Sequence, residues 1–504
     1  MNHQTTAGAF STLSALLAYW AVQTPGADAA IEAGRRLSYA QLEADVTAKA
    51  RALIGAGVGH GDRVAMLAPP GVEFWIHFLA AAEIGAIWIG LNPRHTDLEL
   101  SEVVARVTPR LLIVPETLDG RSYEAWRSQQ GHDVRVIAPD ETFGDQALAS
   151  VNLHEARRSL VGPNDPCLIV FTSGSTGSPK AVVMRQGALV GASLIQASLW
   201  KATPLRVLNN LPVNHIGCVG DLGVYTLAGG GALVFAPRFD PAQTVALIEA
   251  HAITVWGQVP TMFQMTLDAP GFEPKRLSTL QRIFWGGAQA SPDLLAGLEA
   301  LGVPLSTSYG QTETVGSIAF TPDGASLDLL TQSVGRAGAP YEVRIAGGAE
   351  EGEIEVRTPF GMSGYWTNQG VEPVDMSAEW RGTGDVGAIL PEGDIVLRGR
   401  VHDVFKSGGY NIYPGEIEAA LEAHSSVAQA AVVGVEDRLF GQAGWAFLLA
   451  AGKEPTEEEL RAHLTARIAN YKIPKRFIFV DALALLPVGK VDKTQLREVA
   501  RGLS

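Results

Sequence analysis

The sequence predicts an α/β fold: a large N-terminal domain of layered α/β subdomains with a small β subdomain, followed by a small α+β domain at the C-terminal end. Three observations lead there. Helix-type and strand-type apolar patterns alternate through most of the 504 residues, which favours helices layered on sheets. The strand-like runs at 167–171, 207–211 and 232–235 are short and mostly apolar, as strands covered on both faces are. The pattern then changes twice. Residues 341–400 hold brief β runs, such as 353–357 and 395–397, broken by glycine and proline. Beyond Arg400 a helix opened by Pro414 precedes a strand-like run at 428–434, since proline suits the first helical position. A domain boundary is therefore expected near residue 400.

Taken from the N-terminus, the first element is an amphipathic helix through the apolar stretch 15–22, with Ser11 as its cap. No lysine or arginine precedes that stretch and no clean small-residue cleavage site follows it, so it does not read as a signal peptide. A helix over 98–106 carries Leu98, Leu100, Val103 and Val104 as its apolar positions, with Asp97 as cap. The helix after Pro414 turns Ile417, Ala420 and Leu421 to one face. No apolar run reaches membrane-spanning length, so no membrane insertion is expected. The final Arg501-Gly502-Leu503-Ser504 is not a peroxisomal address.

Hydrophobic residues make up 46% of the chain and charged ones 18%, enough to bury large cores. The net charge of −14 repels nucleic acid and anionic membranes, so neither is expected as a partner. An anionic substrate must instead be met by local positive groups. Cys167 and Cys218 lie in apolar surroundings with neither a disulfide framework nor a metal spacing, which predicts buried thiols in a reducing cytoplasm.

The strongest local signal is Phe171-Thr172-Ser173-Gly174-Ser175-Thr176-Gly177-Ser178-Pro179-Lys180. It follows an apolar strand. Its hydroxyls, from Thr172, Ser173, Ser175 and Thr176, and the N–H groups of Gly174 and Gly177 can wrap a polyphosphate, and Lys180 supplies positive charge. It is not a Walker A loop, in which Gly-Lys precedes Ser/Thr; here Pro179 precedes Lys180. A flexible linker would have no reason to follow a buried strand and end in Pro-Lys.

This loop resembles the phosphate-binding signature of the adenylate-forming superfamily, which holds acyl-CoA synthetases, nonribosomal-peptide adenylation domains and firefly-type luciferases. Four more segments match in that family's order, so the resemblance spans nearly the whole chain. One departure is Ala181, where the family commonly has glycine. In Ser308-Tyr309-Gly310-Gln311-Thr312-Glu313-Thr314 the resemblance implies that Tyr309 and Gly310 lie at the adenine, Thr312 contacts the α-phosphate and Glu313 holds Mg²⁺, a hard cation that takes carboxylate and phosphate oxygens. In Arg381-Gly382-Thr383-Gly384-Asp385 it implies that Asp385 accepts from the ribose hydroxyls; alone, this would read as a turn aspartate.

The run 398–418 resembles the family's interdomain hinge and thiol-side loop. Arg400 would contact ribose or phosphate, and Gly408 and Gly409 would let a pantetheine arm pass close to backbone. The pivot two residues after the arginine is usually Asp and sometimes Lys; here it is His402. Either its charge change near pH ~6.5 biases the domain orientation, or it is a polar hinge residue of no special consequence. In Leu486-Pro487-Val488-Gly489-Lys490-Val491-Asp492-Lys493 the match to the family's catalytic lysine is Lys490, whose ammonium would offset repulsion between carboxylate and α-phosphate. Lys493 reads as a solvated tail lysine. The implied organisation is an ATP- and acid-binding domain over 1–399, a hinge at 400–403 and a mobile domain over 404–504.

Two segments bear on the acid. Leu211-Pro212-Val213-Asn214-His215-Ile216-Gly217 resembles the stretch that reaches the acyl pocket, with His215 and Ile216 as lining and Asn214 where an aromatic is frequent. Amino-acid adenylation domains carry an ammonium-binding Asp here; none stands at the matching place, and Asp221 lies one or two helical turns on. Phe284-Trp285-Gly286-Gly287-Ala288-Gln289 resembles the stretch flanking both ligands. Gly287, Ala288 and Gln289 fall to the adenine side, Trp285 and Gly286 to the acid side. A Trp285 ring in the pocket would obstruct a long chain and favour a short, medium or aromatic acid; in the core it would say nothing. Lys472, Lys475 and Arg476 are either contacts for the phosphates of coenzyme A or ordinary basic surface.

The implied function is an AMP-forming carboxylic acid:CoA ligase using ATP, Mg²⁺ and coenzyme A through an acyl-adenylate, as a monomer or homodimer. One alternative is a stand-alone amino-acid or aryl-acid adenylation enzyme, against which stand the missing ammonium-binding Asp and the absence of a carrier domain. The other is a non-catalytic nucleotide-binding protein on the same fold, which the presence of Lys180, Glu313 and Lys490 opposes.

Overall fold

The computed structural model describes residues 10–130, 135–138, 149–172, 179–407, 410–485 and 491–503. The first helix, Leu13–Gln23, is capped by Thr12 and not by Ser11: the Thr12 hydroxyl accepts from Ala15 N at 3.3 Å. Starting there lets Leu13, Leu16 and Leu17 bury together. The expected Asp97 cap is displaced in the same way. Thr96 caps Asp97–Val107 in a reciprocal box with Glu99, and Asp97 sits in the first turn, where a carboxylate suits the helix dipole.

Two large sheets carry the N-terminal part. Five parallel strands run side by side in the first, in the order Pro166–Thr172, Ile87–Leu91, Arg63–Leu67, Leu111–Ile113 and Arg135–Ile137. The antiparallel Lys180–Arg185 pairs beside Pro166–Thr172. In the second, Asp28–Glu32, Ala232–Phe235, Arg206–Asn209, Val255–Gln258, Arg282–Trp285 and Leu305–Gln311 lie parallel, with Gly316–Phe320 antiparallel at one side. The expected 207–211 run is a strand over Arg206–Asn209, inside the sheet between Ala232–Phe235 and Val255–Gln258.

Parity within these strands sorts side chains into separate cores. Phe284 joins the core shared by the two sheets, whereas Ile283 and Trp285 face the helices Pro241–Ala250, Pro260–Leu267 and Pro292–Glu299, as the two-residue strand period requires.

The expected small β subdomain is a four-stranded antiparallel sheet of Glu342–Ile345, Glu351–Arg357, Arg381–Ile389 and Ile395–Arg400. The hairpin Gly364–Thr367 and Gly370–Pro373 leaves it and extends the first large sheet beyond Lys180–Arg185. The subdomain therefore does not absorb all of 341–400, and this detour carries Tyr365 to the Lys180 edge.

After Arg400 the long hairpin Val427–Asp437 and Gly441–Ala450 packs the helices Pro414–Glu422 and Glu457–Thr465 on one face and Lys493–Gly502 on the other. Pro414 stands in the first turn of its helix, as expected. No described helix is long and apolar enough to cross a membrane.

Candidate active site

In open α/β sheets, ligands bind beyond the carboxyl ends of the strands. Here those ends converge with the small sheet. Leu305–Gln311 reaches across to Arg381–Ile389: the Tyr309 hydroxyl donates to Asp385 Oδ2 at 2.7 Å, and Gln311 Nε2 donates to the same oxygen at 2.7 Å and to Thr383 O at 2.8 Å. Arg400 Nε meets the other carboxylate oxygen at 2.8 Å. Three segments distant in the chain thus meet at one buried carboxylate. Burial, and then the Asp385 charge, raise the Tyr309 phenol well above its ordinary range, so it remains a donor.

The turn after Gln311 is held tightly. Thr314 Oγ1 accepts from Gln311 N and donates to Gly316 O, both at 2.8 Å. Val315 takes a φ of 61°, uncommon for a β-branched residue. A Cβ at Gly310 would fall 2.0 Å from Gly316 O, so only glycine fits. This turn presents buried Thr312 and half-buried Glu313.

Glu313 has a partner that motif reading missed. The Tyr365 phenol lies beside its carboxylate, and burial followed by the Glu313 charge pushes the phenol up to about 12. The Lys180 ammonium lies 5.4 Å from the centre of the Tyr365 ring, within cation–π range. Thr172 and Lys180 are direct cross-strand partners. Ser173, Gly174, Ser175, Thr176 and Gly177, which connect them, lie outside the described residues, as do Gly408, Gly409 and Lys490. Leu485 and Val491, flanking the Lys490 segment, form an antiparallel bridge.

Gly287, Ala288 and Gln289 are exposed beyond the Arg282–Trp285 strand, and Gln289 Nε2 donates to Thr331 O. Gly287 takes a φ of 81°. His215 Nδ1 accepts from Gly217 N at 3.0 Å, and Ile216 packs into the core against Gly220. Trp285 is not a pocket residue. It is 1% exposed and points into the helix-side core, so its bulk carries no information about the acid. Its neighbour Phe284 faces the other way, over Gly257 and Leu222, and lies 4.4 Å from the Trp200 ring, centre to centre. Strand alternation alone could have separated the two.

Lys472, Lys475 and Arg476 are each engaged within the protein. Lys472 pairs with Glu416 at 2.6 Å. Lys475 lies over Phe440, and Arg476 over Trp445 with a further bond to Leu503 O. At the expected hinge His402 is exposed, while Asp403 pairs with Arg497 at 2.6 Å and Lys493 at 3.9 Å. Lys493 also pairs with Glu418 at 2.7 Å, so it is not the solvated tail lysine expected.

Fold and site together define an adenylate-forming ligase. The chain belongs to the AMP-binding enzyme family, whose model matches residues 17–366, with the AMP-binding enzyme C-terminal domain matching 416–490. It is 32% identical over 489 residues to an indoleacetate–CoA ligase of Aromatoleum aromaticum, covering 94% of this chain and 95% of that one. It is also 32% identical to a feruloyl-CoA synthase of Amycolatopsis, covering 94% and 96%. Among solved structures, the amide bond synthetase McbA of Marinactinospora thermotolerans is 30% identical with a TM-score of 0.83, covering 96% of this chain and 99% of that one. The protein is an AMP-forming acid–thiol ligase that uses ATP and coenzyme A on a small-molecule carboxylic acid.

Proposed function

We propose that this ligase activates a compact aromatic acid. The observation that carries the site reading is the convergence of Tyr309, Gln311 and Arg400 on Asp385. That carboxylate, with its acceptor-only chemistry, is the ribose contact, and the Tyr309 ring is the adenine platform. Lys180, Thr172 and Thr312 face the phosphates. The half-buried Glu313 carboxylate, beside the Tyr365 phenol, has lone pairs for a hard cation that retains phosphate and water oxygens as its other ligands. Bound Mg²⁺ would neutralise phosphate charge there. Lys490 offsets repulsion between the two anions as the acid oxygen meets the α-phosphate, and pyrophosphate leaves.

The second step brings a thiolate to the acyl-adenylate past Gly408 and Gly409. The pivot for the C-terminal domain, 404–504, is assigned to His402. Arg400 is tied to Asp385, Val401 N donates to Gly384 O at 2.8 Å and Asp403 pairs with Arg497, so the exposed His402 stands between tethered neighbours. The acid's compactness is supported by Phe284, whose ring fills the space over Gly257 and is backed by Trp200, which in turn meets Phe320 edge-on. Its aromaticity is supported by relatives named for indoleacetate and ferulate.

The test is a panel of aryl, short, medium and long acids, with CoA present and absent, reading AMP and thioester separately. Efficient use of long-chain acids with rejection of aryl acids would defeat the substrate assignment. The likeness to an amide bond synthetase supports a second acceptor, an amine; amide formation without thioester in the same assay would favour it.

A further inference from the structure

The segment after His215 is an eight-residue π-helix, Gly217–Val224. Such helices are rare and cluster at functional sites. Within it Asp221 turns toward the Leu305–Gln311 and Gly316–Phe320 strands. Its Oδ1 accepts from Ser317 N at 3.2 Å and Ser317 Oγ at 3.1 Å, and Ser317 Oγ in turn meets Ser308 Oγ at 3.0 Å. Both bonds use one oxygen. Among the described residues Oδ2 accepts none, and no Lys, Arg or His pairs with the carboxylate.

A second group nearby is also unsatisfied. Tyr341 is 4% exposed, its hydroxyl has no hydrogen-bond partner among the described residues, and it feels the Asp221 charge. The buried Tyr341 hydroxyl left open is costly unless something fills it, and the half-buried Asp221 keeps one oxygen without a bonded donor among the described residues.

Their surroundings belong to the acid side of the site. Ser308 directly precedes Tyr309, and a Cβ at Gly286 would lie 3.3 Å from Ser308 Oγ, so glycine there leaves the approach to the serine free. Leu222, next in the π-helix, packs toward Gly257 and Phe284.

We infer that Asp221, with Tyr341, recognises an N–H or O–H donor at the end of the aromatic acid remote from its carboxylate. This rests on the substrate reading above and sharpens it: the acid carries a ring N–H or a phenolic O–H. A hydrogen bond to a charged acceptor is worth roughly 10- to 100-fold in discrimination, and a site built for a donor rejects analogues that lack it.

The test pairs acids that differ only in the donor: indole-3-acetate with 1-methylindole-3-acetate, and 4-hydroxycinnamate with 4-methoxycinnamate. Acid-dependent ATP–pyrophosphate exchange is followed for wild type, Asp221→Leu, Asp221→Asn and Tyr341→Phe, with melting curves as the check on folding. Wild type is expected to favour the donor-bearing member of at least one pair by roughly 10-fold or more. Asp221→Leu should bring that ratio to within about threefold of unity, and Asp221→Asn, which still accepts, should keep part of it. Equal use of both members by wild type, or an unchanged ratio in a folded Asp221→Leu, overturns the inference while leaving the ligase reading intact. No exchange with any acid would remove that reading, and the inference with it.

Discussion

Tyr309 and Asp385 are 76 positions apart and share a 2.7 Å hydrogen bond, the phenol donating to the carboxylate. The bond joins the last residues of a parallel strand to the small sheet. Removing either partner should have unequal effects. Asp385→Ala leaves the buried Tyr309 hydroxyl without its acceptor and the Gln311 amide with Thr383 O alone. It is expected to cost about 1–3 kcal/mol of stability and to raise the KM for ATP at least tenfold. Tyr309→Phe keeps the ring and removes one donor of three, and should cost about 1 kcal/mol. Denaturant melts with and without ATP check both; an ATP-induced stabilisation as large in Asp385→Ala as in wild type would exclude the ribose role.

Tyr365 ties Glu313 to the Lys180 edge. Tyr365→Phe should therefore raise the Mg²⁺ concentration needed for half-maximal nucleotide binding about three- to tenfold, the loss of a polar neighbour of the Glu313 carboxylate. The effect should largely vanish in a Glu313→Gln background, because coupled groups are non-additive. Binding of a fluorescent ATP analogue, titrated with Mg²⁺, gives all four corners of the cycle; additive effects would mean that Tyr365 acts elsewhere.

How much of this site was legible in the sequence depends on how local each relation is. Thr172 and Lys180 flank one short hairpin, so eight residues sufficed to pair them. Tyr309, Asp385 and Arg400 were legible as motif members, but their meeting at one carboxylate depends on sheet topology. Tyr365 was invisible for that reason: its hairpin abandons the small sheet it sits within in sequence and joins another. Trp285 misled because bulk was weighed before parity. In a strand, adjacent residues face opposite ways, and it is Phe284 that shares a face with Gly257. The cap at Thr12 lies one residue on because the first apolar turn buries from Leu13, and the cap at Thr96 one residue back because Thr96 closes a reciprocal box with Glu99.

Lys490 is assigned to the first half-reaction only. Lys490→Ala should slow acid-dependent pyrophosphate release by about 10²–10³-fold, the scale for losing one transition-state charge contact. Thioester formation from chemically prepared acyl-adenylate should change by less than about threefold, since the lysine has left by then. Rapid-quench assays of each step separate the two; an equal loss in both would mean that Lys490 supports the structure of the C-terminal domain and not the chemistry of adenylation.

Asp221 offers a test of its environment that needs no substrate. Burial raises its carboxyl to about 6, Ser317 pulling partly the other way, against ~3.9 in an unfolded chain. The groups facing it, Ser317 and Tyr341, are uncharged, and Tyr341 is held neutral by burial. Between pH 4 and 6 the folded state therefore binds more protons than the unfolded state, and this group's contribution to stability falls as pH rises, levelling off above pH 6. Asparagine at this position has no proton to lose. Asp221→Asn should match wild type near pH 4 and exceed it by about 2–3 kcal/mol at pH 7.5. Urea unfolding of both proteins across that range gives the difference directly, with all other titrations cancelling. A difference independent of pH would mean that water or a cation already reaches the carboxylate, and the acceptor proposed for the substrate would then not be waiting for a donor.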